Sequence, residues 1–292
     1  MAVGKYLLFK SVLMTMVTRL VLLGTGTPNM EPDKSGPCIA VVVDERPYLF
    51  DAGPGTVRMA MIAHDMGITG LNPRNLDRVF LTHLHSDHTT GLPNLLLGPW
   101  VLGRREPLKV AGPPGTQAMM EHIHEAFIED IKVRIEGPEN ANETGHLYEV
   151  KEISEGPVFS DDLISVEAFG VKHTTFKHSF GYRITTPDKK IGISGDCAPT
   201  EDLKENYKDL DLLVHEVYST KGFQTKSEGW KNYHSNAHTS SKELAEILKE
   251  VRTKLTVLCH QLLWGASPQD LLDEIGEIYD GEVRSGQDLD FF

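Results

Sequence analysis

Residues 82 to 88 read Thr82-His83-Leu84-His85-Ser86-Asp87-His88, three imidazoles and a carboxylate directly after the apolar stretch Val79-Phe80-Leu81. In extended backbone alternate side chains share a face, so His83 and His85 can converge on one cation while the next turn offers Asp87 and His88 to a second. Neither half-site is closed. Zinc takes about four ligands per ion from Cys, His, carboxylate or water, so other segments must complete the shells. Three residues sit in the right setting: His173 after Phe169-Gly170-Val171-Lys172, Asp196 after Ile191-Gly192-Ile193-Ser194-Gly195, and His260 after Leu255-Thr256-Val257-Leu258-Cys259. The carboxyl end of a buried strand is where an α/β scaffold presents functional groups to a crevice. Taken singly, His173 or His260 reads as a hydrogen-bonded histidine beside a strand, and only the ordered series makes them ligands.

Such donors need strands to carry them. Strand patterns at 20–23, 39–43, 47–50, 79–81, 163–169, 190–193 and 212–215 alternate with helical patterns at 56–66 and 116–128. Ser240 with Glu243 forms a capping box that opens a helix through Val251, and Ser267-Pro268-Gln269-Asp270 opens the last helix with proline at its first position. The polar stretch 138–156 reads as a surface excursion between two halves of similar pattern. Residues 18–292 read as a single domain and 1–17 as an N-terminal extension or an over-called start, with Met14 and Met16 as alternative starts.

A chain of 292 residues with 40% hydrophobic content buries a sizeable core without staples. The scattered Cys38, Cys197 and Cys259 give no disulfide framework and suit a reducing, cytoplasmic setting. Cys38 and Cys259 read as small buried hydrophobes, and Cys197 as packing or support beside Asp196. No stretch is apolar enough to span a membrane. The net charge of −13, from 29 basic and 42 acidic side chains, argues against a nucleic-acid partner. The stretch 221–231, with three lysines against Glu228 and with Phe223 and Trp230 among them, keeps that partner open but reads first as a solvated loop.

The series HxHxDH, lone His, Asp, final His resembles that of the metallo-β-lactamase superfamily. The resemblance runs from about Arg19 to the C-terminus. It includes Gly24-Thr25-Gly26-Thr27-Pro28, Asp51-Ala52-Gly53-Pro54-Gly55, Gly91-Leu92-Pro93, Phe180-Gly181-Tyr182-Arg183, His215-Glu216 and His238-Thr239-Ser240. It implies an α/β fold, a four-layer αβ/βα sandwich with two mixed β-sheets and metals along the seam. It further implies that His83, His85 and His173 hold one zinc, that Asp87, His88 and His260 hold the other, and that Asp196 bridges them. Two Zn2+ per chain are expected; Mn2+ and Fe2+ are open, although the iron-dependent redox relatives typically carry HxExD and position 85 here is His.

Hydrolysis by a metal-bridging hydroxide is the implied reaction, with Asp87 orienting or deprotonating the nucleophile and His238 donating to the leaving oxygen. Asp51 reads as the partner of a metal-bound histidine, His215 and Glu216 as support or a core pair, and Lys177 as a group that attracts an anionic ester. Trp100, Trp264 and Phe176 are candidate pocket walls, and His178 and His234 surface or rim groups. The segments around Gly91 to Gly115, with Cys259-His260-Gln261-Leu262-Leu263-Trp264-Gly265, look most like the arylsulfatase branch. Small aryl sulfate or phosphate esters are therefore the first expectation. A neighbouring branch, the ribonuclease Z-like tRNA 3′-processing endonucleases, shares the metal loop and the Gly-Tyr-Arg and His-Thr-Ser motifs. Its bacterial members carry a long basic arm between the lone His and the Asp, an interval of only 23 residues here. A non-catalytic metal-stabilised interaction module is the third reading, and a homodimer is open.

Overall fold

A computed structural model describes residues 16–292, so the expected extension lies, up to residue 15, outside the described residues. Two mixed sheets form the centre. The first runs in chain order: β1 (Thr18–Gly24), β2 (Cys38–Val43), β3 (Arg46–Phe50), β4 (Arg78–Phe80), β5 (Leu108–Gly112) and β6 (Tyr148–Glu152). Its first three strands are antiparallel, and β3 to β6 are parallel. The second runs from edge to edge as β13 (Val283–Ser285), β12 (Leu255–Leu262), β11 (Leu212–Tyr218), β10 (Lys190–Ile193), β9 (Phe180–Thr185), β8 (Ser165–Gly170) and β7 (Gly156–Ser160). It mirrors the first, with β10 to β13 parallel and β7 to β10 antiparallel.

Helices cover the outer faces. Against the first sheet pack α1 (Thr56–Asp65), α3 (Leu92–Val101), α4 (Thr116–Ala126) and α5 (Ile128–Glu136), after the short ligand-loop helix α2 (Ser86–Thr89). On the second lie α6 (Asp202–Asn206), α9 (Ser241–Val251) and α10 (Pro268–Gly276), with α7 (Thr220–Phe223) and α8 (Glu228–Ser235) following β11. The four-layer expectation holds, and period-two alternation explains it. In β1, Leu20 and Leu22 enter the core between the sheets, while Val21 and Leu23 face the helices. Both faces are covered, so these strands are continuously apolar. Each fully buried Leu, Val, Ile or Phe side chain contributes about 1.5–3 kcal/mol.

Across the seam Tyr182 Oη donates to Leu81 O (2.6 Å) and Phe180 N donates to Thr82 O (2.9 Å), so β9 pins the chain just ahead of the histidine run. The expected capping box is present at Ser240–Glu243, and the proline-led start of α10 proves to be a second one, Ser267–Asp270. The C-terminal residues line the β1 edge: Phe292 and Leu20 exchange backbone hydrogen bonds of 3.0 and 2.9 Å. Asp288 accepts from Thr25 N and Oγ1 (both 2.8 Å) and from Ser35 N (2.7 Å).

Three expectations need correcting. The helix expected at 116–128 is two, broken at Phe127, whose ψ of 13° leaves the helical range. The polar stretch 138–156 is not only an excursion, because Tyr148–Glu152 extends the first sheet as its exposed edge, where polar outward residues are tolerated. Strands β11 and β12 run past their expected ends, so His215, Glu216 and His260 lie within strands.

Candidate metal centre

The histidine run leaves β4 and enters α2, where it is fixed by Asp51 at the end of β3. Asp51 sits at φ 61°, a left-handed conformation that Asp tolerates better than most residues. Its carboxylate accepts from Thr82 N (2.8 Å), from Thr82 Oγ1 (2.9 Å) and from His88 Nδ1 (2.8 Å). Thr82 Oγ1 gives its hydrogen to Asp51 and so accepts from His83 Nδ1 at 2.9 Å. One carboxylate thus orients two imidazoles, and both leave Nε2 for the centre.

The remaining donors arrive singly from the second sheet. His173 follows β8 and donates from Nδ1 to Ala237 O (2.8 Å), again freeing Nε2. Asp196 follows β10 through Gly195, whose φ is 59°. His260 is the extra residue of a bulge in β12: Cys259 pairs with Glu216 and Gln261 with Val217, which leaves His260 between them at φ 44°. A bulge re-aims a side chain, and here it turns an imidazole towards Asp87 and Asp196.

The assembled cluster has two lobes. His83, His85, His173 and Asp196 each offer a donor atom within 4.8 Å of the others, as do Asp87, His88 and His260. Asp196 Oδ2 faces both lobes, 4.0 Å from His83 Nε2, 3.5 Å from His88 Nε2 and 3.4 Å from His260 Nε2. Asp87 Oδ2 lies 3.4 Å from His88 Nε2 and 3.3 Å from His260 Nε2.

These groups fit divalent cations. His85 Nδ1 lies 3.0 Å from His83 Nε2 and 3.1 Å from His173 Nε2, and the hydrogens of the latter two rings are already donated elsewhere. Two ring lone pairs thus face His85 Nδ1, and nitrogens about 2.0–2.1 Å from a tetrahedral zinc are themselves roughly 3.3 Å apart, close to these spacings. Burial pushes His83, His85 and His173 below the ordinary imidazole value, which keeps them neutral, the form that ligates. Burial would raise Asp196, but His260 and His88 outweigh it and hold the carboxyl well below its usual range.

His238 lies beside this cluster, its ring stacked on His260 with centroids 5.7 Å apart. Burial pulls it down to about 4 against the opposing field of Asp196. Its Nδ1 faces Glu216 Oε2 at 3.3 Å, and each atom is buried and otherwise unpartnered among the described residues. Glu216 Oε1 accepts from Thr239 N (2.8 Å) and Cys197 N (3.3 Å). Burial and the charge of Asp196 raise Glu216 well above the ordinary carboxyl value. Glu216 Oε2 therefore stands against the Nδ1 edge of His238 and turns the Nε2 edge away from β11.

Several expected groups lie elsewhere. His215 does not reach the cluster: successive strand residues face opposite ways, and its ring sits against Cys197 Sγ (3.9 Å) and edge-on to Tyr207. Trp100 is no pocket wall, because it is buried under α3 with Nε1 donating to Asn142 O. Lys177 is exposed and makes no ion pair among the described residues. Phe176 turns its edge to His85 at 4.7 Å. Trp264 packs on His234 at 4.3 Å, and His234 is buried, not a surface group. The stretch 221–231 is not a free loop but spans α7 and the start of α8, with Lys221 paired to Asp270 and Lys231 to Glu228.

Sequence reasoning missed Thr82 as a relay and Trp230 as a neighbour. The four-residue spacing of Trp230 and His234, which places both side chains on one face of α8, was the available signal for Trp230.

Comparison with known proteins fits this geometry. The beta-lactamase superfamily domain matches residues 46–261. The chain belongs to the metallo-β-lactamase superfamily. Within it, this metallo-β-lactamase superfamily hydrolase falls in the ribonuclease Z-like branch. It is 32% identical over 201 residues to a ribonuclease Z of Mycobacterium bovis, covering 68% of this chain and 69% of that protein. It is also 26% identical over 275 residues to a ribonuclease Z of Mycolicibacterium gilvum, covering 92% and 94% of the two chains. In fold it is similar to the short form of human tRNase Z, with TM-score 0.68 and 23% identity over 94% of this chain and 98% of the other. It is likewise similar to the metallo-β-lactamase fold protein YhfI from Bacillus subtilis, with TM-score 0.73 and 15% identity over 94% and 98%. Membership implies divalent-metal binding and hydrolysis of ester bonds. Among the described residues no helix is long and apolar enough to cross a membrane.

Proposed function

We propose that this chain is a dinuclear metal-dependent phosphodiesterase that cleaves RNA near the 3′ end of a precursor tRNA. The ribonuclease Z relatives support this substrate class over the aryl sulfate esters that the sequence favoured first. The observation that carries the reading is the placement of His238 against Glu216 and beside Asp196 and His260, which puts an imidazole at the edge of the ligand cluster.

In this reading His83, His85 and His173 would hold one ion and Asp87, His88 and His260 the other, with Asp196 a donor available to each. Bound divalent ions supply an activated water and polarise the phosphoryl oxygens. Asp87 accepts the proton of the attacking water. His238 hydrogen-bonds the oxygen that leaves, and Glu216 beside Nδ1 orients the ring. Asp51 and Thr82 hold the first two imidazoles in place throughout.

Protein loaded with Zn2+ or Mn2+ is expected to shorten a 3′-extended precursor tRNA, with an apparent affinity that falls as salt rises. Cleavage of 4-nitrophenyl sulfate with the precursor left intact would overturn this in favour of a sulfatase. Metal-dependent thermal stability without turnover across an ester panel would favour a structural module.

A further inference from the structure

An acidic chain with a short 173–196 interval needs another means of holding RNA. The structure holds a candidate at the mouth of the metal centre. From His260 the rings of His238, His234 and Trp230 follow one another at centroid spacings of 5.7, 5.6 and 5.5 Å, with interplanar angles of 18°, 38° and 22°. The ladder begins at a buried ligand and ends on a tryptophan that is 57% exposed. Tyr233, 38% exposed, stands edge-on to Trp230 at 5.7 Å. Beside them Lys226 Nζ lies 4.6 Å from the Trp264 ring centroid, and it has no carboxylate within ion-pair distance among the described residues, unlike Lys221 and Lys231.

We infer that the exposed face of Trp230 is a stacking platform for a nucleobase flanking the scissile phosphate, with Lys226 facing the adjoining phosphate of single-stranded RNA. The inference rests on the phosphodiesterase reading and names what that site grips. Three observations support it. An exposed indole is costly to leave in water and serves substrates with a flat π face. The ladder joins this indole to His238 through one intervening ring, with steps of 5.6 and 5.5 Å, so a base stacked there lies close along the strand to the bond acted on. A cation held by an aromatic ring and free of acidic neighbours is available to a phosphate oxygen.

The test uses the metal-loaded protein with two fluorescein-labelled RNA oligonucleotides, one intact and one abasic at the nucleotides flanking the cleavage position, in binding and cleavage assays. Trp230→Ala is expected to weaken binding and raise KM for the intact RNA about 5- to 100-fold with kcat little changed. Trp230→Phe is expected to restore most of that loss, and neither variant should alter binding of the abasic RNA. Equal losses on both RNAs, or no loss on either, would overturn the platform, as would wild-type protein that binds neither. Loss of 4-nitrophenyl phosphodiester turnover with RNA binding unchanged would overturn it too, by assigning the face to an aryl group. Failure of the wider reading is separate: it is read from wild-type precursor tRNA cleavage, whereas the platform is read from the ratio between the two oligonucleotides.

Discussion

The two sheets contribute to the metal centre in opposite ways. The first supplies His83, His85, Asp87 and His88 from one continuous loop, held by Asp51 and Thr82 of the same sheet. The second supplies His173, Asp196 and His260 from three separate strands, each beside or in a left-handed backbone position: Thr174 at φ 51°, Gly195 at 59° and His260 itself at 44°. Such positions cost about 1–3 kcal/mol for a residue other than glycine, so the surrounding packing has to impose them. The first sheet's half is a local motif; the second's is a product of topology.

That contrast can be broken at its join. Asp196 Oδ2 lies within 4.0 Å of imidazoles in both lobes, so Asp196→Ala should do the most damage. Removing a buried charge from its partners costs about 3–5 kcal/mol, which is more than a hundredfold in metal affinity. An ion at a hundred times its dissociation constant stabilises the fold by about 2.7 kcal/mol, so chelation should lower the wild-type melting temperature by several degrees and leave this variant nearly unmoved. A variant that keeps two metals by elemental analysis would refute the bridging placement.

His238→Ala separates chemistry from coordination. It should lower kcat by about 10²- to 10⁴-fold while metal content and the chelator-induced melting shift stay as in wild type. Loss of metal with unchanged turnover per bound ion would instead make it a ligand.

A smaller change tests the first sheet's self-sufficiency. Asp51→Asn keeps shape and tolerates the left-handed backbone, but its amide cannot accept from Thr82 and His88 together as the carboxylate does. Metal affinity or activity should fall about 10- to 100-fold, with the fold intact by circular dichroism. No change would mean that the loop orients itself.

Legibility in the sequence followed the same division. The ligand loop was readable because its donors are contiguous and follow an apolar strand, and the Ser240–Glu243 capping box and the proline-led start at Ser267 were readable because four residues determine each. The second sheet's donors were readable only as an ordered series, since nothing local to Leu258-Cys259-His260 announces a bulge. Phe127 breaks a helix whose composition favours continuation, and Tyr148–Glu152 becomes a strand only because β5 offers it an edge. Trp230 and the true orientation of His215 depend on which neighbours a surface meets, which periodicity alone does not encode.

Asp288 ties Thr25 to Ser35, and Gly26 N donates to Ser35 O at 2.8 Å, so residues 25–35 form a closed hoop. That hoop, together with Ser86, Asp87 and Thr90, lines a cleft of about 680 Å³. The cross-links at its base hold this hoop in one place beside Asp87. A wall tied down in this way has little freedom left to lose when the cleft is filled, so occupancy costs less ordering entropy than a loose flap would demand.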